Sequence, residues 1–392
     1  MPTKSFPVVD CDAHVYEPVV IWDKYVHKDY KQLARSAFWC HDNEAGPATV
    51  IVNGKATPSM HRSRINRLSV WRPGMTPEEI GAMDPGGAHA PNPAAWDPSY
   101  RLKDLDAMGV DRQVIFPTLF AEYLPTVENA DLARVLSIAY NDWITDFCKA
   151  APDRLFPVAV LPLQDPAFAI EELRRAAEMG FKAAFLRPSF FEKRFLSHPW
   201  YDGLWTELEN LGVAACIHAS PGGANPEWTS TGNFVERMAG RLQLGHNVAE
   251  SCAPTMDCAM ALTAFAFCGH LERFPKLKLA FAHAGASWVN LTLEKAETYL
   301  TIQGDTSDIS LEPEHLFFER PSFLTFNTWE SSIGRLHHGY GKAAGWGSRY
   351  PHHDASTAWE AIENLQRWGV PGDRIAKLMG GNAASFFGIP IA

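Results

Sequence analysis

The sequence predicts an α/β fold, a single (β/α)8 TIM-like barrel with long insertions after strands one and five, and three observations predict it. Eight short apolar runs succeed one another along 392 residues, helix-like amphipathic segments separate most of them, and the runs are continuously apolar rather than alternating. Continuous apolar strands alternating with helices are parallel strands buried on both faces, and eight of them favour a closed barrel over an open sheet. Length alone would also admit two average domains. The repeating pattern favours one domain over 1–392.

The first run, PVVDCD, ends in the stretch Asp12-Ala13-His14, and about eighty residues of Pro, Gly, Trp and His follow before RQVIFP at 112–117. The next runs are RLFPVAVLP (154–162), KAAFLRP (182–188), VAACIHAS (213–220), LKLAFAHAG (277–285), SFLTFNT (322–328) and AAGWGS (343–348). Helical periodicity marks 132–150, 169–180, 201–212 and 286–300, and Gly180 and Gly212 stand where left-handed residues end helices. Two connections exceed ordinary loop length, about 18–98 and 219–253. Both leave the C-terminal ends of strands, where barrel active sites are built, and are expected to form a cap over the pocket.

Hydrophobic residues make up 46% of the chain and aromatics 12%, enough core material to exclude global disorder. The net charge of −10 is spread without an acidic or basic block, which disfavours nucleic acid as a partner. Seven cysteines without a C-x-x-C pair read as reduced thiols. No apolar run reaches membrane-spanning length and the N-terminus shows no signal-peptide core, so a cytoplasmic protein off the membrane is expected.

The chemistry is carried by strand ends. Asp12 and His14, at i and i+2 of a strand, face the same side, and a carboxylate beside a neutral imidazole suits zinc, manganese or iron better than calcium. Taken alone, the pair reads better as an Asp–His hydrogen bond closing a strand; the histidines at later strand ends turn the reading toward a cation. His218 ends the fifth strand and His283 the sixth, each followed by small residues that leave room beside the backbone. A lone histidine there is more often a core residue. Together with Asp12 and His14, His218 is expected to be a metal ligand, and His283 a ligand or an acid/base.

In this order VDCDAHVYEPVVIWDKY, RLKDLDAMGVDRQVIFPT, AYNDWITDFCKAAPDRLFPVAVLPLQDP, LERFPKLKLAFAHAGASW, GSRYPHHD and GNAASFFGI resemble the amidohydrolase superfamily, in the branch of aminocarboxymuconate-semialdehyde decarboxylase. The resemblance implies one or two divalent ions held by Asp12, His14 and His218, with His283 a base or second-metal ligand, and it suggests a homodimer. It also exposes a departure. Relatives usually read G-S-D-Y-P-H at the eighth strand, with the Asp on the metal, whereas this chain has Arg349 there. Three readings stay open: Arg349 turns away and Asp354 supplies the carboxylate, Arg349 binds an anionic substrate group, or the metal has been lost. Asp354 also reads as the N-cap of the following helix.

Further candidates are Arg187 as a carboxylate clamp, Asn327 as a holder of a substrate carbonyl or a metal, though it reads better as a plain strand-end hydrogen bond, and Glu17 as a support to the ligands or merely a residue fixed by Pro18. One of His337, His338, His352 and His353, read as crowding the same end of the barrel, is a candidate proton shuttle; His246 reaches the pocket if the cap folds inward. Trp71, Trp96, Phe120, Trp228, Phe234 and Trp346 suggest a bulky apolar small-molecule substrate or simply core. A metal-dependent hydrolase acting through activated water ranks first, narrowly, because the decarboxylases' usual eighth-strand Asp is missing; an acyl-CoA thioesterase is its refinement. A non-oxidative decarboxylase of an aromatic or unsaturated acid ranks second, and a metal-free binding protein third.

Overall fold

The computed structural model describes residues 4–41, 49–57, 69–83, 91–219, 246–303 and 309–391. Eight strands, Val9–His14 (β1), Arg112–Phe116 (β2), Leu155–Val160 (β3), Ala183–Leu186 (β4), Ala214–His218 (β5), Leu279–Ala282 (β6), Ser322–Phe326 (β7) and Ala344–Trp346 (β8), pair in chain order and in parallel. Just beyond β8 the chain closes the cylinder onto β1, Arg349 N donating to Asp12 O at 2.7 Å and His14 N to Tyr350 O at 2.6 Å. The (β/α)8 barrel is thus the observed fold.

Outside the strands lie Pro98–Met108 (α1), Ala130–Cys148 (α2), Pro166–Glu178 (α3), Asp202–Leu211 (α4), His246–Phe267 (α5), Trp288–Gln303 (α6), Ser331–Tyr340 (α7) and Ala358–Arg367 (α8). Local sequence sets their ends. Asp97, Asn129 and Asp165 accept backbone N–H bonds as N-caps, two of them with Pro at the first helical position. Gly212 ends α4 at φ 63°, and Gly180, at φ 93°, follows α3. Inward-facing Val9, Cys11, Val114, Val158, Phe185, Cys216 and Phe323 fill the barrel, joined by Phe386 and Phe387 of the C-terminal helix. A larger apolar layer lies between strands and helices.

Three expectations shift. The first insertion holds an antiparallel sheet of Phe38–His41, Thr49–Val52 and Lys55–Thr57, strands too short to show a period in sequence. α5 starts at His246, inside the segment expected to be a connection up to 253. Thr357 rather than Asp354 caps α8, because its hydroxyl pairs with Glu360 in a reciprocal capping box. Of the aromatics read as substrate-facing, Trp71, Phe120 and Trp346 are buried core and Trp96 packs against it; Trp228 and Phe234 lie outside the described residues, as does most of the second insertion. Among the described residues no helix is long and apolar enough to cross a membrane.

One buried histidine gives the fold a pH dependence. His270 sits among Trp205, Phe265 and Phe274, where burial, seconded by the Arg273 charge, lowers its pKa to about 4. A base that charges less readily folded than unfolded contributes stability that is present above the unfolded pKa and lost as pH falls toward the folded one, about 3 kcal/mol here. His270→Phe retains the stack and removes the titration. Urea midpoints of wild type are expected to fall relative to this variant between pH 6.5 and 4; parallel curves would refute the assignment.

Candidate metal centre at the barrel mouth

Asp12 lies near the end of β1, which is buried along its whole length, and its carboxylate organises three imidazoles. Oδ1 lies 3.2 Å from His14 Nε2 and 3.3 Å from His218 Nε2, while Oδ2 accepts from His283 N at 3.1 Å and stands 4.0 Å from His283 Nδ1. One ligand atom from each of the four residues falls within 4.8 Å of all the others, and all four side chains are buried. The rings of His14, His218 and His283 stand 4.7 to 5.6 Å apart. These are the four residues that the sequence brings forward.

The hydrogen bonds behind the rings decide what the front can do. His14 Nδ1 reaches Pro117 O at 3.0 Å and His218 Nδ1 reaches Ala219 O at 2.6 Å. A carbonyl only accepts, so each Nδ1 carries a proton toward it, and each ring turns Nε2 toward the carboxylate. Burial lowers His218 to about 4 despite Asp12, which keeps that ring neutral. Burial works to raise Asp12 as well, but His14 and His218 more than offset it and hold the carboxyl well below its usual range. His14 Nε2, close to Asp12, makes no hydrogen bond. Several acceptors converging on one buried point fit a shared divalent cation of the N,O-binding kind, zinc, iron or manganese.

The backbone is bent to make this point. His283 has φ 70°, an uncommon conformation for a side chain of its size, and its N–H bonds both Asp12 and Thr325 Oγ1 at 3.1 Å. Gly347 is obligatory beside it, since a Cβ there would meet Asp12 Cβ at 2.5 Å. Beneath, Asp10 accepts from Ser348 N (2.8 Å), Ser348 Oγ (2.5 Å) and Gln113 Nε2 (2.8 Å). Gln113 Oε1 in turn accepts from fully buried Arg101 (2.7 Å), which also donates to Ala94 O and His14 O.

The remaining candidates separate. Arg349 turns aside at φ 61°, its Nε 2.7 Å from Asp354 Oδ2 and its Nη1 3.4 Å from His283 O. Asp354 therefore pairs with the guanidinium, not with the four-residue cluster. Arg187, buried at the end of β4, donates to Ala121 O and Glu122 O from Nη1. Asn327 bonds Glu330 through its backbone N–H. Glu17 accepts from the N–H groups of Thr118, Leu119 and Phe120, so it fixes the loop after β2. His352 stacks on His14 at 4.2 Å with Nε2 3.2 Å from Thr118 Oγ1, whereas His337 and His338 belong to the last turn of α7, which returns to the opposite end of the barrel. The side chain of His246 is outside the described residues. Asp10 and Arg101 were not singled out from the sequence, and a register shift in β1 between Asp10 and Ala13 means that spacing from Asp12 does not place Asp10.

A profile of the amidohydrolase family matches residues 9–389. The 2-amino-3-carboxymuconate-6-semialdehyde decarboxylase of Dictyostelium discoideum is 30% identical over 196 residues, 49% of this chain and 49% of that protein. The gamma-resorcylate decarboxylase of Rhizobium sp. (strain MTP-10005) is 32% identical over 124 residues, 30% of this chain and 37% of that protein. The chain thus spans about half or less of the length of these curated relatives. An amidohydrolase structure from Mycobacterium avium subsp. paratuberculosis K-10 superposes with TM-score 0.76 at 17% identity, covering 98% of this chain and 100% of that one. The 5-carboxyvanillate decarboxylase of Novosphingobium aromaticivorans DSM 12444, complexed with manganese and 4-hydroxy-3-methoxy-5-nitrobenzoic acid, gives 0.66 at 17%, covering 98% and 96%. Both structures share the fold.

These relatives correct the expectation of a hydrolase and leave its thioesterase refinement without support, since the curated proteins are decarboxylases. The missing eighth-strand Asp was the ground for ranking hydrolysis first; the carboxylate beside the three imidazoles is Asp12 of β1, already among the four residues expected from the sequence. Matched from residue 9 to residue 389, with four buried ligand atoms converging at its mouth, the chain belongs to the amidohydrolase family.

Proposed function

We propose that this protein is a divalent-metal-dependent, non-oxidative decarboxylase of an aromatic or unsaturated carboxylic acid. The observation that carries the reading is the convergence of Asp12, His14, His218 and His283 on one buried point, in a chain whose relatives are decarboxylases. Asp12, His14 and His218 would hold the ion, their hydrogen bonds to Pro117 O and Ala219 O fixing the rings. A bound divalent ion supplies positive charge that fixes and polarises a substrate oxygen. His283 stands back from Asp12 relative to the other two rings, and we assign it the proton. The bond between the ring carbon and the carboxyl carbon breaks, its electron pair stays on the ring carbon, that carbon takes the proton from His283, and carbon dioxide leaves; no oxidant is needed. Arg187 supplies positive charge at the mouth, the charge of Arg349 being engaged by Asp354, and the two insertions would cap it.

The test is carbon dioxide release from 2,6-dihydroxybenzoate, the compound bound in a related decarboxylase structure, and from a panel of aromatic acids. Protein loaded with manganese or zinc is expected to release carbon dioxide, chelated protein to release less than about 1% as much, and re-addition of the ion to restore it. Thiol release from acyl-CoA esters without any carbon dioxide would overturn the reading.

A further inference from the structure

A carboxyl group stands near the metal centre that the mechanism does not use. Asp257 on α5 is 6% exposed, and it makes no hydrogen bond or close ion pair with any described residue. Its helical turn is fixed in place. Thr255 Oγ1 donates to Ala284 O at 3.3 Å and Cys258 Sγ to Ala282 O at 3.8 Å, so the turn crosses the C-terminal end of β6, whose neighbour β5 ends in His218. Toward β4 the facing charge is Arg187, itself 3% exposed and anchored on Ala121 O (3.1 Å) and Glu122 O (2.7 Å). Burial pushes the Asp257 carboxyl up to about 7, with Arg187 acting against that rise. A carboxyl desolvated this far is costly to charge, and its oxygens, which are not among the fully enclosed polar atoms, stay open to a donor from a ligand.

A hydroxyl that reaches Asp257 removes that cost, and a ligand lacking the hydroxyl leaves it standing. We propose that Asp257 is a specificity-determining residue that accepts a hydrogen bond from a hydroxyl on the substrate ring, with the anchored Arg187 guanidinium holding the charge beside it. The inference rests on the reading of the substrate as an aromatic acid. It assigns Asp257 no part in bond breaking: Asp257 selects among acids that the metal centre binds.

The experiment titrates the metal-loaded full chain with benzoate and with 2-, 3- and 4-hydroxybenzoate by calorimetry, for wild type, Asp257→Ala and Asp257→Leu. At least one hydroxybenzoate is expected to bind wild type about tenfold or more tightly than benzoate, and that preference is expected to vanish in both variants while benzoate affinity holds. Leucine has the same branching and number of side-chain heavy atoms and no hydrogen-bonding capacity, so its urea midpoint is expected to equal or exceed that of wild type; a structural role for Asp257 would lower it. The proposal is overturned if wild type shows no such preference, if the variants keep it, or if the leucine variant unfolds at lower urea. Carbon dioxide release is measured separately. A preference that depends on Asp257 without carbon dioxide release sinks the decarboxylase reading alone, and carbon dioxide release with an unchanged preference sinks this one alone.

Discussion

Asp12→Asn and His218→Ala are expected to purify with less than about a tenth of an equivalent of divalent metal, where wild type carries roughly one, and to lose about a thousandfold in kcat/KM. The two substitutions act on one vertex. Asp12 Oδ1 is the atom that both His14 Nε2 (3.2 Å) and His218 Nε2 (3.3 Å) approach, and Oδ2 holds the backbone of His283. Asparagine keeps the shape of the carboxylate but removes the only negative charge in the cluster and sets an amide against atoms that need a cation between them. His218→Ala removes a ligand whose orientation is fixed by Ala219 O, so no flexible neighbour replaces it. Asp354→Asn provides the contrast. Its carboxylate is engaged by Arg349 at 2.7 Å, so the variant is expected to keep its metal. Metal analysis by mass spectrometry reads all three, and equal loss in Asp354→Asn and Asp12→Asn would return the eighth-strand loop to the ligand set.

Arg101→Met is expected to destabilise the fold by about 3–5 kcal/mol and to weaken metal binding by about ten- to a hundredfold. Arg101 is fully buried and uses its planar fork on three acceptors at once, Ala94 O, Gln113 Oε1 and His14 O. It also lies 4.9 Å from the centre of the Tyr350 ring. Methionine fills much of the volume and satisfies none of the acceptors, and it leaves Asp10, 2.8 Å from the far side of Gln113, without a nearby cation. Lysine is expected to rescue little, because a point charge cannot reproduce the fork. Loss of the His14 O bond ties the two effects together: the atom lies on the peptide that follows a proposed metal ligand. Urea unfolding with metal chelated gives the first number, and competition with a chromophoric chelator gives the second. Unchanged affinity in a destabilised protein would confine Arg101 to the fold.

The barrel was legible because the strands of a closed parallel sheet are buried on both faces, which writes eight uninterrupted apolar runs into the chain. Seven of the eight runs contain their strand, as 213–220 contains Ala214–His218, while the first, 7–12, stops two residues short of the end of Val9–His14; the polar residues at run ends, Asp12, His218 and His283, mark the mouth. Less was legible where structure depends on distant partners. The antiparallel sheet in the first insertion is built from strands of three or four residues, too short to carry a period. Asp354 was compatible with a ligand or an N-cap, and the structure shows neither but an ion pair with Arg349. Asp10 and Arg101 were passed over because a buried charge is explained by partners from other segments, here Gln113 and Ser348, and sequence spacing does not name them.

By itself the sequence determined the parallel barrel, the strand ends that bear Asp12, His14, His218 and His283, and a donor set suited to a divalent ion, because periodicity and residue chemistry are local properties. Tertiary structure decided which way the rings face, that Arg349 pairs with Asp354, and that Asp257 is buried with no hydrogen bond to a described residue. Those facts depend on distances between residues as many as 271 positions apart, as His283 N and Asp12 Oδ2 are, and only the closed fold sets such distances.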